Sequence, residues 1–340
     1  MKQLGFLLLA SAVSFIDPAL AQDFFKDKTI SIITSTGEGG SYDGAARTLA
    51  RHMPRHIPGN PTMIVRNMPG GGHTRATNFI YTQAPKDGTT IGTVSNSMPM
   101  HQLVDGRGVR FDVAKFHWIG SVGLSNLTMA FWHTSKMKSL EDAMKREVTM
   151  GATGTGSGTF LYPNAINKVL GTKFKIISGY RTSVEVDLAM ERGEVEGRGG
   201  GSYSTIYQEH PDWLKDGKLF IAAQIGLERD PLMPQAPLIA ELAKNDEQRQ
   251  ILHFLSSPVA VGRPYIAPPE VPAERIAILR KAFDATMQDK AFMDEADKQA
   301  LDIRPMKGEV LEKIVQEAVK TPPEILEKVR KIIEVVEGGK

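Results

Sequence analysis

The sequence predicts an α/β protein of two lobes with mainly parallel sheets. Runs of β-branched residues alternate with helical periodicity along the whole chain. Glycine-rich loops stand where strand gives way to helix. The 340 residues also exceed the usual size of a single hydrophobic core.

The first residues read as a removable leader. Lys2 supplies a positive start, residues 4–16 are mostly apolar, and Ala19, Leu20, Ala21 form a small-residue cleavage site, so the mature chain is expected to begin at Gln22. A membrane anchor needs roughly 20 apolar residues, and Asp17 and Pro18 interrupt this run. Residues 1–21 are therefore a signal peptide, and the expected location is periplasmic.

Ile30, Ser31, Ile32 and Ile33 make a short buried strand. The loop TSTGEGGSYD follows at residues 34–43, and Ala46, Leu49, Ala50 and Met53 then recur at helical spacing. Ser41 or Asp43 is suited to cap that helix, and glycines leave backbone N–H groups uncovered beside its positive end, which makes an anion seat fit for a carboxylate. A second unit repeats the pattern: strand 62–66, loop MPGGG, helix 74–81. A third strand, 90–94, runs into Ser95, Asn96 and Ser97, at the end of a strand where open α/β sheets place ligands.

A new segment begins near Thr128 with the strand TMAFW, and residues 139–142 resemble a capping box. Strand 148–152 empties into a second glycine loop, residues 154–159, ahead of a helix over 160–170. Strand 174–178 and a helix carrying Val186, Ala189 and Met190 come next, then residues 194–198 with three glycines behind them. After strand 219–225, Pro231, Pro234 and Pro237 mark a connection, and the remainder is mostly helical. Pro272 opens one helix, and Thr321, Pro322, Pro323, Glu324 open the last, which sets Ile325, Val329, Ile332, Ile333 and Val336 on one face. The expected division is one lobe of residues 22–124 plus 226–340 and another of 125–225, with crossings near Gly123 and Ile225.

Composition removes several classes of function. The formal charge of +2 gives no footprint for nucleic acid or an anionic membrane. The absence of cysteine excludes disulfides, thiolate catalysis and cysteine metal sites. The glycine loops also fail the enzymatic patterns. A P-loop needs Lys and then Ser or Thr after its glycines, whereas Gly40 is followed by Ser41, Tyr42 and Asp43. A dinucleotide fingerprint needs a third glycine where Thr159 stands and an acid where Ser178 ends the next strand. A nucleophile elbow needs glycines two residues either side of Ser157, where Thr155 and Thr159 stand. His52 and His56 have Pro54 between them and no Glu after His52, so they are not a zinc-protease pair.

Four segments carry a family resemblance: IITSTGEGGSYDGAARTLA, IVRNMPGGGHTRATNFIY with APKDGTTIG after it, MGATGTGSGT, and GYRTSVEVDLAMERGEVEG. Over nearly the whole mature chain the sequence resembles the solute-binding receptors of tripartite tricarboxylate transporters, also called Bug receptors. The resemblance implies a type II periplasmic binding protein with a ligand cleft between its lobes, acting as a monomer without cofactor or metal and without turning substrate over. It also implies a small organic acid as ligand and the transporter's membrane components as partners. Position by position, Thr36, Gly37, Gly39, Gly40, Ser41 and Asp43 would form one seat and Ser157, Gly158 and Thr159 the other. Ser95, Asn96 and Tyr180 would lie beside them.

Glu38 departs from the family pattern, where prolines often stand at its position and at Thr36; its charge is expected to face solvent or a cation. Arg181 and Arg198 are candidates for a ligand's distal carboxylate, Arg198 because it stands beside three glycines at an expected strand end. An exported hydrolase or lyase using the same cleft, or a chemosensory module, are the alternatives.

Overall fold

The computed structural model describes residues 24–39, 41–123, 126–153, 157–180, 183–299 and 301–334. Residues 1–21, Gly40, Arg181 and Val336 lie outside the described residues.

Two sheets organise the chain. The first contains β1 (Thr29–Thr34), β2 (Thr62–Asn67), β3 (Thr90–Thr93), β4 (His117–Ser121), β10 (Pro264–Ala267) and β11 (Met306–Lys307), in the order β11-β4-β10-β3-β1-β2. The second contains β5 (Leu127–Trp132), β6 (Val148–Ala152), β7 (Phe174–Ser178), β8 (Gly197–Ser202) and β9 (Leu219–Ile225), in the order β7-β6-β8-β5-β9. Among helices of seven or more residues, the ones that matter here are α1 (Ser41–His52), α2 (Thr74–Thr82), α3 (Gly158–Leu170), α4 (Ser183–Glu191), α5 (Tyr203–Glu209), α6 (Asp246–Val261), α7 (Ala273–Met287), α8 (Lys290–Lys298), α9 (Gly308–Val319) and α10 (Pro323–Ile333).

Each sheet is mixed, which corrects the expectation of mainly parallel sheets. The strand-loop-helix units do give parallel pairs, β1 with β2 and β3, and β6 with β7 and β8. Strands entered by crossing between the sheets run the other way: β10 is antiparallel to β3 and β4, and β5 to β8 and β9. A strand needs a crossover connection to lie parallel to its neighbour, and these strands have none within their own sheet.

Buried apolar residues coat both faces of each sheet. On the first sheet, Ile30, Ile32, Leu49 and Phe283 gather on one face, and Ile80, Trp118, Leu311 and Val315 gather in a second cluster. The glycines of these strands show how closely helices approach: a Cβ at Gly120 would meet the Phe283 ring at 2.2 Å, and one at Gly92 would meet Ile80 at 2.1 Å.

The second sheet recruits helices from far along the chain. Its larger core joins Met129, Met150 and Phe174 to Leu252, Phe254 and Leu255 of α6 and to Ile325 and Val329 of α10. The described residues from 226 to 334 thus serve both sheets. Each such side chain, fully buried, contributes about 1.5–3 kcal/mol. The end of α10 is also tied to α3, where Lys168 Nζ and Asn164 Nδ2 donate to the Ile332 carbonyl at 2.9 and 3.2 Å.

Helices α1 and α8 are joined through Glu295, which accepts from Arg51 Nε at 2.8 Å and contacts His52 Nε2 at 2.5 Å. The bonds from Arg51 and then His52 hold the Glu295 carboxyl at about 2, down from 4.5. A depressed carboxyl adds stability that is complete above its unfolded value and is lost as pH falls through the folded one. Glu295→Gln should therefore destabilise the protein at pH 7 by about 1–3 kcal/mol, allowing for partial solvent screening. The difference from the parent should close between pH 4.5 and 2 in urea titrations; a gap that persists at pH 2 would reject this assignment.

Candidate ligand-binding site

The first loop leaves β1 between its two parallel neighbours and feeds α1. Thr34 and Ser35 are buried at its base, whereas Gly37, Glu38 and Gly39 are exposed. Thr36 is half-buried, and its hydroxyl lies 3.1 Å from that of Thr34. Gly39 turns the chain at φ +81°, in the left-handed region that glycine adopts without strain.

Asp43 does not face outward as a ligand contact would. It is 2% exposed, and its carboxylate accepts from the Gly39 amide at 2.9 Å, Arg47 Nε at 2.9 Å and Asn67 Nδ2 at 2.8 Å. Burial raises the Asp43 carboxyl, and the bonds from Arg47, Gly39 and Asn67 outweigh it, so the net shift is downward. Asp43 thus folds the loop back onto its own helix. Glu38 is exposed, and among the charges acting on Arg47 its carboxylate helps keep that guanidinium protonated after Asp43.

The second strand-loop unit clasps the first. Asn67, at the end of β2, donates to the Thr36 carbonyl at 3.1 Å and accepts from Arg47 at 3.0 Å. His73 reaches Ser35, with Nδ1 3.2 Å from the hydroxyl and 3.3 Å from the carbonyl oxygen. Sequence reasoning did not single out Asn67 or His73. Their signal was the position of MPGGGH at the end of a strand parallel to β1.

At the end of β3, Ser95 is buried and its hydroxyl lies 2.8 Å from that of Ser97, so this serine closes its own turn. The Asn96 amide donates to the Tyr42 hydroxyl, which donates to the Gly262 carbonyl, both at 3.3 Å. Tyr42 thereby ties α1 to the end of β3 and to the chain just before β10. Burial raises the Tyr42 phenol, and its bond from Asn96 and the charge of Arg263 work against that.

The second loop belongs to the other sheet. Residues 154–156 lie outside the described residues, but Ser157, Gly158 and Thr159 form the start of α3. Ser157 has extended backbone, and its carbonyl accepts from the Phe160 and Leu161 amides at 3.1 and 2.9 Å. Its hydroxyl sits 2.7 Å from that of Thr159, and Thr159 Oγ1 accepts from the Thr153 amide at 3.0 Å. Strand β8 supports this turn from beneath. Gly200 has φ +72°, and a Cβ there would lie 2.5 Å from the Gly158 carbonyl oxygen.

The two sheets meet at a cavity of about 230 Å³. Asn96 and Ser97 line it from the β3 end, Gly158 and Tyr162 from α3, and Leu255 and Pro258 from α6. Tyr162 donates to the Leu255 carbonyl at 3.3 Å, and burial pushes its phenol up. The cavity therefore brings together Asn96 and Gly158, two predicted site residues some sixty positions apart. Tyr180 lies elsewhere, half-buried against the cluster of Val186, Met190 and Trp213, with its phenol raised by burial and then by Glu194.

Arg198 stands where the sequence did not suggest. The glycines after it are part of β8 itself, so Arg198 is near the start of that strand. Glycine is needed there because a Cβ at Gly199 would collide with Pro163 of α3 at 2.6 Å. The Arg198 guanidinium is buried against Asp187 of α4, with Nη1 to Oδ1 at 2.7 Å and side-chain exposures of 3% and 2%. His210 Nε2 lies 3.5 Å from the other Asp187 oxygen, and the His210 ring stacks on Trp213 at 3.8 Å. The charge of Arg198 is thus answered within the fold. Among the described residues no group of three or more His, Cys, Asp or Glu is placed to hold a metal ion.

The family model for the tripartite tricarboxylate transporter family receptor matches residues 45–331. The chain belongs to this family. Its fold is that of a two-lobed periplasmic binding protein, as solved structures show. A TctC solute-binding protein from Polaromonas, without ligand, superposes with a TM-score of 0.70 at 18% identity over 88% of this chain and 98% of that one. The periplasmic binding protein BugD gives 0.56 at 18% identity over 91% and 98%. MatC from Rhodopseudomonas palustris, solved with bound malate, gives 0.57 at 16% identity over 90% and 99%. No curated protein sequence matches this chain. Among the described residues of this receptor, no helix is long and apolar enough to cross a membrane.

Proposed function

We propose that this receptor captures a small organic carboxylate between its two sheets and presents it to the membrane components of a tripartite tricarboxylate transporter. It does so as an exported, periplasmic monomer without catalysis, after removal of residues 1–21. The lobes are residues 22–124 with 226–340, and 125–225. The observation that carries this reading is the cavity shared by Asn96 and Gly158 at the meeting of the sheets. A helix N-terminus with hydroxyls at its first residues is suited to an anion and unsuited to a cation.

In this reading Thr36, Gly37, Gly39, Gly40 and Ser41 contribute to one side of the ligand, and Ser157, Gly158 and Thr159 to the other, with Asn96 and Ser95 at the floor. Asp43 holds the first loop in shape, and Tyr180 and Arg198 are left out of the contact set. Malate, found in MatC, and adipate, found in a second Rhodopseudomonas palustris protein of similar fold, suggest small dicarboxylates as first probes.

Thermal-shift titration with a panel of organic acids tests the proposal. A true ligand at a hundred times its dissociation constant should add about 2.7 kcal/mol of stability. Ser157→Ala should weaken that ligand by roughly tenfold, since about 1.5 kcal/mol is usual for a hydroxyl donated to a charged acceptor. A panel without a stabilising acid, or a ligand whose affinity is unchanged in Ser157→Ala, would count against the seat as drawn.

A further inference from the structure

A second cavity, of about 590 Å³, lies away from the shared one just described. Its walls are α6, α9 and the turn from α9 into α10, with Leu227 just after β9. These segments belong to different cores. Phe254 of α6 is buried with the second sheet, whereas Ile314 of α9 packs against the first. The chain itself passes from one core to the other at residues 320–322, which border the same cavity.

Its chemistry is two-sided. Phe254, Ile314, Ala318 and Pro322 make an apolar floor large enough for a small-molecule body. The mouth carries Arg249, Lys313 and Lys320 against one acid, Glu317. Arg249 pairs with Asp246 at 2.5 Å and Lys320 with Glu317 at 2.7 Å. These two cations are largely balanced by their acids; Lys313 is exposed and borders the same cavity.

We propose that this cavity is a second ligand site, for an organic anion with an apolar body, separate from the carboxylate cleft. Apolar burial supplies the affinity, and the excess positive charge at the mouth selects an anionic head over a cationic one. Because the walls come from two cores, an occupant touches helices of both at once.

The probe is 8-anilinonaphthalene-1-sulfonate, followed by fluorescence on the full mature chain at pH 7, with octanoate and octylamine as competitors. One saturable site is expected, displaced by octanoate and left in place by octylamine. Lys313→Glu, an exposed change that leaves the core intact, should weaken the probe by about fivefold. Ala318→Trp should fill the floor and abolish binding. Ser157→Ala should leave probe binding unchanged, because that serine sits at the N-cap of α3 and does not border this cavity. Probe lost in Ser157→Ala and kept in Lys313→Glu would place it in the carboxylate cleft and overturn the proposal. Equal displacement by octanoate and octylamine, or no saturable binding to a cooperatively melting protein, would overturn it as well. If Ala318→Trp does not fold, Lys313→Glu alone decides.

Discussion

Arg198→Ala is expected to cost the folded protein about 3–5 kcal/mol, the usual range for removing one member of a buried ion pair. The guanidinium and the Asp187 carboxylate are 2.7 Å apart with almost no exposure, so the change takes a close positive charge away from a buried carboxylate. Replacing the pair together, Arg198→Met with Asp187→Leu, should recover most of the loss, because a buried ion pair contributes little over apolar residues of similar volume. Urea unfolding of the two variants and the parent decides the matter. If Arg198→Ala instead keeps full stability while losing preference for dicarboxylates over monocarboxylates, Arg198 is a ligand contact after all.

The second large effect is expected at Asp43. Its carboxylate takes hydrogen bonds from Gly39, Arg47 and Asn67, and Asn67 in turn holds the Thr36 carbonyl. Asp43→Ala should cost about 2–4 kcal/mol through these lost charge-assisted bonds. Ligand affinity should fall with it, because a disordered loop must be ordered again on binding. Asp43→Asn, which keeps an acceptor but not the charge, should lie between. Calorimetry with any acid that stabilises the parent provides the measure, and the order parent, Asn, Ala is the expected result. Equal affinity in all three would mean that the first loop takes no part in binding.

The strand-loop-helix units were legible because their signals are local. β-branched runs, glycines at the turn and apolar spacing placed β1 with α1, β2 with α2 and β6 with α3 within a residue or two. Three features were not legible, each for a non-local reason. The direction of β5 and β10 depends on which sheet the chain has just left. The glycines at 199–201 resemble a loop until Pro163 of α3 is seen pressed against one of them. Arg198 looked free because its partner, Asp187, sits on a helix eleven residues earlier, where an acid reads as surface charge.

For the site, the geometry brings the end of β3 to the start of α3 and shows what several of the named residues bond to. Asn96 and Gly158 share a cavity. Asp43 is turned inward, and Asn67 and His73 act on the first loop from a neighbouring unit that hydropathy alone does not connect to it.

The placement of α10 has a consequence for how the chain reaches its native state. Ile325 and Val329 complete a core whose other walls include residues 129–174 and α6, so some contacts separated by about 150 positions must close before the second sheet is sealed. Closing long loops slows folding, and an unfinished apolar surface stays open until they close. As the polypeptide emerges from a ribosome, that sheet lacks this cover until residues 323–333 have been made. That order makes α10 the element whose removal should leave a sticky, protease-sensitive intermediate in place of a smaller stable domain.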